Sequence, residues 1–265
     1  MNTTELYTQW LEKATADPDL QAELQAIAGQ DEEIRDRFYR SLEFGTAGLR
    51  GELPTDDKLL DDLATVIDDT RARMDDRLPL ILLGHSMGGL VAAQLVSLKL
   101  RRVDALVLSS PAFDLGLSVM QKALMNSLYR IAPGARVGNG VEPRYLSHDL
   151  AMVDAYRADP LVHDRISARL AHFIDSAGAA VLKRAPRWKV PTLLLYAGQD
   201  MVVRPAGSHA FAGAAPPEWV TAQAYPMHYH ELFNELDSAP VFEVLREWLV
   251  QRFPPVALEH AGELP

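Results

Sequence analysis

The sequence places Leu78-Pro-Leu-Ile-Leu-Leu83 directly before Gly84-His85-Ser86-Met87-Gly88, and a helical pattern over Leu90–Leu100 follows. A short uninterrupted apolar run predicts a strand that is buried on both faces of a parallel sheet. The pentapeptide matches G-x-S-x-G, in which a tight, strained turn projects the serine above the sheet, and side chains at either glycine are expected to clash with backbone. This strand–turn–helix order predicts that Ser86 is a nucleophile, and the alternative is a plain turn.

Further strands are predicted on the C-terminal side of this stretch. Apolar runs at Val103–Leu108 and Val190–Tyr196 indicate buried strands, and Val220–Tyr225 shows a weaker strand pattern. Residues 112–188 contain no clear strand and are predicted to form several helices. The alternation of strands and helices, with one long helical insertion, predicts an α/β fold.

Helices are predicted on both flanks of the strand region. An acidic helix over residues 55–76 has an apolar face made of Leu59, Leu60, Leu63, Val66 and Ile67. The last predicted helix carries Phe242, Leu245, Trp248, Leu249 and Phe253 at helical spacing. Residues 3–44 predict two further helices, which end at a glycine-punctuated loop over Phe44–Gly51.

A serine nucleophile needs a base, and the base needs an acid that orients it, in the order Ser, Asp/Glu, His. Asp200 follows the strand over residues 190–196, at the carboxyl end where parallel sheets place their sites. His230 follows the last, weaker strand, and His228 is an alternative base. The order predicts a Ser86–Asp200–His230 triad, against the alternative that Asp200 caps a helix and His230 lies on the surface.

Composition excludes several function classes. The 265 residues include no Cys, which excludes disulfides, thiolate metal sites and Cys nucleophiles and fits a reducing cytoplasm. No apolar run approaches the ~18 residues of a transmembrane helix, and the N-terminus shows no secretory signal. The net charge of −10, whose entire acidic excess lies within residues 1–77, argues against nucleic acid or an anionic membrane as partners. No His/Asp/Glu cluster has metal-ligand spacing, so no metal or other cofactor is expected.

Four motifs give the chain a specific resemblance to a known family. They are Leu82-Leu83-Gly84-His85-Ser86-Met87-Gly88-Gly89, Ala158-Asp159-Pro160-Leu161-Val162-His163, Gly198-Gln199-Asp200 and Tyr229-His230-Glu231-Leu232-Phe233-Asn234-Glu235. Over about residues 53–253 the chain resembles the monoacylglycerol lipase and lysophospholipase branch of the α/β-hydrolases, which is serine aminopeptidase S33-like. The resemblance selects His230 over His228, because the family's catalytic histidine opens the H-E-x-x-N-E stretch.

This resemblance implies a carboxylic ester hydrolase that acts on small lipid esters of the monoacylglycerol or lysophospholipid type. Ser86 would be the nucleophile, His230 the base and Asp200 the orienting acid, while the backbone N–H of Met87 would stabilise the oxyanion. In this family an insertion such as residues 112–188 is a helical cap over an acyl-chain pocket. Six residues would suit the pocket lining: Leu117, Met120, Leu124, Met125, Leu128 and Tyr129. A helix face packed on the core would show the same pattern, and both alternatives stay open.

One part of the family pattern is missing from the sequence. The family takes its second oxyanion donor from a His-Gly loop after an early strand, whereas the first histidine here is His85 and no buried strand is predicted before Leu78. The expected fold is therefore a partial α/β-hydrolase fold, whose parallel sheet lacks its early strands. The strand over residues 78–83 should be central, so the loss of its neighbour predicts an open apolar edge and a homodimer through that edge. Loss of one oxyanion donor predicts a weak enzyme.

Residues 1–51 resemble a second, unrelated family. Trp10-Leu11-Glu12-Lys13, Arg37-Phe38-Tyr39 and the G-T-A-G-L-R-G run ending at Gly51 resemble the N-terminus of a phosphoglucomutase/phosphomannomutase, in which the arginine matched by Arg50 lies near the active site. The alternative for this segment is a pair of acidic surface helices. The sequence thus predicts a helical segment over 1–51, joined near Gly51–Leu53 to a truncated hydrolase domain over 52–265. A catalytically impaired chimera is the alternative to an active cytoplasmic enzyme.

Overall fold

The computed structural model describes residues 7–8, 11, 21, 24–29 and 56–254. The chain divides into two compact units, Met1–Thr46 and Ala47–Pro265. The predicted helix after Gly29, the loop over residues 44–51 and the predicted junction near Gly51–Leu53 lie outside the described residues.

The described residues of the first unit form a small apolar cluster. Tyr7, Leu24 and Ile27 are buried together, with Leu11 packed against them. The Tyr7 hydroxyl donates a hydrogen bond to the carbonyl of Leu24 at 2.9 Å. Residues 7–8, 11, 21 and 24–26 are helical, in keeping with the predicted helical character of this segment. Its resemblance to a phosphohexomutase stays a prediction.

The second unit alternates strands and helices. Its elements are α1 (Asp56–Arg73), β1 (Ile81–His85), α2 (Ser86–Leu98), β2 (Ala105–Ser109), α3 (Val119–Ile131), β3 (Arg136–Gly138), α4 (Leu150–Ala158), β4 (Arg165–Ser167), α5 (Ala168–Arg184), β5 (Thr192–Ala197), α6 (Pro205–Ala214), β6 (Val220–Tyr225) and α7 (Ala239–Arg252). Four strands form one parallel sheet in the order β1-β2-β5-β6. A parallel α/β fold is therefore confirmed, with strands close to where the apolar runs predict them.

The sheet separates two apolar cores, because successive side chains along a strand point to opposite faces. Leu106, Leu108 and Leu194 face the larger core, which α1, α2, α5 and α6 complete. Val107 and Leu195 face the smaller core, where Val241 and Trp248 of α7 pack. Both faces of β2 and β5 are fully buried, which explains their continuous apolar sequences.

Strand β1 differs from the strand predicted at residues 78–83. It begins three residues later, and it lies at an edge of the sheet with β2 as its only partner among the described residues. Leu83 is 50% exposed, so the prediction of burial on both faces is wrong here. The physical reason is the edge position of β1: in the described part of the chain no strand pairs with its other side, and on the face that Leu83 shares with Ile81 it is Ile81 that packs against the smaller core. Whether a second copy of the chain covers the edge stays a prediction.

Two other expectations need correction. Val66 is 60% exposed, so it does not belong to the apolar face of α1, whereas Leu59, Leu60 and Ile67 are buried. The insertion between β2 and β5 contains the short antiparallel strands β3 and β4, which pair Val137 with Ile166. Three-residue strands are too short to leave an alternation pattern in the sequence. Within the described ranges, no helix is long and apolar enough to cross a membrane.

Candidate active site

The turn between β1 and α2 presents Ser86 at the carboxyl end of the parallel sheet. Ser86 has a positive φ of 52°, a conformation that costs energy for a residue with a side chain. A Cβ atom at Gly84 would lie 2.7 Å from the carbonyl oxygen of Gly88, so only glycine fits there. At Gly88 a Cβ atom would meet nothing within 4 Å, which corrects the expectation of a clash at both glycines. The second close approach occurs at Gly89, 2.9 Å from the carbonyl oxygen of Gly84.

These contacts predict opposite effects for two glycine substitutions. We expect Gly84→Ala to destabilise the protein by about 1–3 kcal/mol or more and to lower turnover, because the new methyl group displaces the Ser86 turn. Gly88→Ala, the matched control, should be neutral or stabilise α2 by about 0.5–1 kcal/mol, because alanine favours the helix and the space is open. Thermal unfolding and ester turnover measure both effects; equal destabilisation by the two variants would contradict this description of the turn.

The three residues of the predicted triad lie within hydrogen-bonding distance of one another. The Ser86 hydroxyl lies 2.9 Å from Nε2 of His230. Nδ1 of His230 lies 2.7 Å from Oδ2 of Asp200. The side chains of His230 and Asp200 are almost fully buried, so water does not compete for their contact. In this geometry His230 can accept the Ser86 proton while Asp200 accepts a hydrogen bond from the other ring nitrogen.

Asp200 is held by its own loop after β5. Its Oδ1 accepts hydrogen bonds from the backbone N–H groups of Val202 and Val203, both at 2.9 Å. This leaves Oδ2 free to face His230. The alternative base His228 points elsewhere, because its Nε2 contacts the carbonyl oxygen of Asp237 at 2.9 Å.

Met87, the residue predicted to supply an oxyanion donor, is the second residue of α2. The first N–H groups of a helix have no partner within the helix, and they carry the positive end of the helix dipole. The start of α2 is therefore chemically suited to a developing oxyanion beside Ser86. The role of Met87 stays a prediction.

The loop after His230 carries two buried glutamates that contact different parts of the fold. Glu231 lies 3.2 Å from Nε2 of His85, the residue directly before Ser86. Glu235 accepts hydrogen bonds from the backbone N–H of Tyr229 at 2.7 Å and from the backbone N–H of His148 at 3.1 Å, and it lies 2.9 Å from Nδ1 of His148. Sequence reasoning did not single out His85; its one available signal is its position next to the nucleophile.

The contacts of Glu235 predict an acid-dependent loss of stability. Burial by itself would raise the pKa of this carboxyl, but the N–H groups of Tyr229 and His148 and the His148 imidazole outweigh it, so the pKa is lowered. A carboxyl with a lowered folded-state pKa stabilises the fold above its unfolded-state value of about 4.3, and this contribution disappears as the pH falls through the folded-state pKa.

We therefore expect Glu235→Gln to lower the unfolding free energy at pH 7 by about 1.5–3 kcal/mol. The difference from the wild type should shrink steadily below about pH 4.5, because the wild-type carboxyl then becomes neutral as well. Denaturant titrations from pH 7 to pH 3 measure this difference. A difference that is constant across the range would show that the charge of Glu235 does not stabilise the fold.

Helix α3, which the family resemblance assigns to a cap, has half-buried and exposed apolar side chains. Helix α3 lies on α5, where the Tyr129 and His172 rings stack with centroids 4.1 Å apart. Met120 is 81% exposed and Leu124 is 70% exposed, so neither residue packs on the core. Leu117, Met125 and Leu128 are half-buried. No group of His, Asp and Glu side chains in the described ranges could hold a metal ion.

The chain is similar to known hydrolases in sequence and in fold. Residues 44–237 match the family described as serine aminopeptidase S33, a range that includes Ser86, Asp200 and His230. The chain belongs to this hydrolase family. A monoacylglycerol lipase from Mycolicibacterium smegmatis is 30% identical over 92% of this chain and 92% of its own length. The second unit alone, which begins after Thr46, is shorter than the 92% of the chain that this alignment covers. The alignment therefore includes part of the first unit.

A further relative and two solved structures are also similar to this chain. Phospholipase YtpA from Bacillus subtilis is 31% identical over 78% of this chain and 80% of its own length. The crystal structure of a monoacylglycerol lipase from Paleococcus ferrophilus superposes with a TM-score of 0.69 at 29% identity, over 77% of this chain and 78% of that one. A soluble variant of the Saccharomyces cerevisiae monoglyceride lipase superposes with a TM-score of 0.68 at 20% identity, over 76% and 71%, and shows the same fold.

Proposed function

We propose that this protein is a serine hydrolase that cleaves carboxylic esters of small lipids through Ser86, His230 and Asp200. The observation that carries the proposal is the continuous chain of contacts from the Ser86 hydroxyl through both ring nitrogens of His230 to Asp200. This chain of contacts occurs in a member of a hydrolase family, at the carboxyl end of a parallel sheet, on a serine with a strained backbone.

In the proposed mechanism, Ser86 Oγ attacks the ester carbonyl while His230 Nε2 takes its proton. Asp200 keeps the imidazole in the required orientation and stabilises the imidazolium that forms. The backbone N–H of Met87 donates to the oxyanion of the tetrahedral intermediate. When this intermediate collapses, the ester C–O bond breaks and His230 returns the proton to the leaving alcohol. A water molecule then cleaves the acyl–Ser86 ester by the same steps.

The substrate class in this proposal is a lipid with one acyl ester, of the monoacylglycerol or lysophospholipid type. Two kinds of relative support it: monoacylglycerol lipases and a phospholipase, each about 30% identical to this chain. The half-buried apolar side chains of α3 are chemically suited to an acyl chain. Residues 112–188 are proposed as the cap of a hydrolase domain over 52–265.

The test is fatty-acid release from a long-chain 1-monoacylglycerol and from a lysophosphatidylcholine with the same acyl chain. The wild type should release fatty acid from at least one of them, and Ser86→Ala should release none above background. Fluorophosphonate labelling of the same samples reports whether Ser86 is reactive. Labelled protein that hydrolyses a p-nitrophenyl ester but releases no fatty acid from either lipid would refute the lipid substrate class, and folded protein that is not labelled would refute the serine hydrolase itself.

A second candidate is a catalytically impaired hydrolase, possessing the triad but not a complete oxyanion hole. The edge position of β1 in the described sheet favours it, since a neighbouring segment would supply the second donor in a complete site. Removal of one oxyanion donor typically lowers turnover by about 10²–10³-fold. Labelling of Ser86 together with a kcat far below about one per second on an ester substrate would support this candidate. A kcat of about one per second or more, which is typical of enzymes, would exclude it.

A further inference from the structure

We propose that Glu231 is a positioning residue that, through His85, fixes His230 against Ser86. This inference rests on the proposed function, because it assigns a role around the same serine and histidine. Glu231 is adjacent to His230 in the sequence, and His85 is adjacent to Ser86. The contact between Glu231 and His85 therefore links the two segments that must meet for proton transfer, which are 144 residues apart along the chain.

The His85 ring is held on two sides. Its Nδ1 lies 3.1 Å from the hydroxyl of Ser109, which is fully buried at the end of β2. Its Nε2 is also buried and makes no well-directed hydrogen bond, and a Glu231 carboxylate oxygen lies 3.2 Å from it, within ion-pair distance. The His85 and His230 rings lie 4.8 Å apart between centroids and are tilted by 54°, which is direct side-chain contact. A shift of His85 would therefore move the His230 ring.

Glu231 is also held in place by several contacts. Its side chain is only 6% exposed, and its other oxygen accepts a hydrogen bond from Asn234 Nδ2 at 3.0 Å. The backbone N–H of Glu231 donates to the carbonyl of Leu146 at 2.8 Å, which anchors the loop from a third direction. A carboxylate at this level of burial needs partners, because burying an unpaired charge is costly.

The electrostatic surroundings agree with an ionised Glu231. Burial alone would raise the pKa of Glu231, but His85, His230 and Asn234 outweigh it and lower the pKa. Tyr156 of α4 also responds to this charge, since burial and the Glu231 carboxylate raise the pKa of its hydroxyl. A buried charge with a fixed partner holds geometry more firmly than a neutral contact.

The experiment compares Glu231→Gln with Glu235→Gln, a substitution at the other buried glutamate of the same loop, which contacts His148 instead of His85. Turnover is normalised to the number of Ser86 sites labelled by a fluorophosphonate, so that unfolded protein does not count. We expect Glu231→Gln to lower kcat by about 10- to 100-fold with KM within about threefold of the wild type, because misplacement of a reacting group by about 1 Å can cost about 100-fold. Glu235→Gln should change kcat by less than about threefold.

A double-mutant cycle adds His85→Ala, which carries the same prediction if Glu231→Gln does not fold. Because both substitutions remove one linkage, the double variant should lose no more kcat than the worse single variant. The inference would be overturned if the kcat losses of the two single variants multiplied in the double variant. It would also be overturned if Glu231→Gln kept kcat within threefold of the wild type, or if Glu231→Gln and Glu235→Gln lost equal amounts of kcat. These results differ from failure of the proposed function, in which the wild type itself is neither labelled nor active.

Discussion

Replacement of Ser86 with alanine is expected to lower ester turnover by at least about 10⁴-fold. In the proposed mechanism the substitution removes the atom that forms the acyl-enzyme, and loss of a nucleophilic serine typically costs up to about 10⁶-fold in kcat. The fold should remain intact, because the Ser86 side chain makes one hydrogen bond, to His230. Initial-rate measurements on a chromogenic ester, with unfolding curves on the same samples, give both values.

Ser110 provides a matched control for this experiment. It is also a serine with a positive φ, at 39°, directly after a strand, and its hydroxyl is buried without a hydrogen-bond partner. Ser110→Ala removes no hydrogen bond and should keep kcat within about threefold of the wild type. Loss of activity in Ser110→Ala, or substantial activity in Ser86→Ala, would show that another group is the nucleophile.

Asp200→Asn is expected to lower kcat by about 10⁴-fold with little change in the fold. The asparagine can keep Oδ1 toward the N–H groups of Val202 and Val203, but an NH₂ group then faces His230. Because this NH₂ group is a donor, Nδ1 of His230 must accept its hydrogen bond. The ring proton of His230 then lies on Nε2, and Nε2 can no longer take the proton of Ser86. Stopped-flow or steady-state ester hydrolysis measures the loss.

Asp149→Asn is the control for an Asp-to-Asn change elsewhere in the same unit. Asp149 is the N-cap residue of α4 and accepts a hydrogen bond from the N–H of Ala151 at 2.9 Å. Asparagine caps a helix about as well as aspartate, so this variant should behave like the wild type. If Asp200→Asn also retained most of the activity, Asp200 would not be the residue that orients the base.

The sequence was most informative where chemistry and local structure coincide. The strand–turn–helix placement of Ser86 could be predicted because the G-x-S-x-G pattern, the preceding apolar run and the following helix all concern adjacent residues. The parallel sheet could be predicted because strands buried on both faces, such as β2, consist of continuous apolar residues. The choice of His230 over His228 needed the family resemblance, since spacing alone permits either residue.

The remaining features depend on contacts between distant parts of the chain. The linkage of Glu231 to His85 joins residues 146 positions apart, and no local pattern marks it. The exposure of Leu83 depends on which element packs over β1, so its apolar character did not predict it. The tolerance expected at Gly88 likewise depends on the space around its Cα, which the motif does not specify.

Intact-mass spectrometry after reaction with a fluorophosphonate tests most directly whether Ser86 is an activated nucleophile. We expect a single adduct on the wild type, mapped by peptide sequencing to Ser86, with no adduct on Ser86→Ala and slow labelling of Asp200→Asn. An adduct on a different residue, or folded wild-type protein that stays unlabelled, would contradict this expectation.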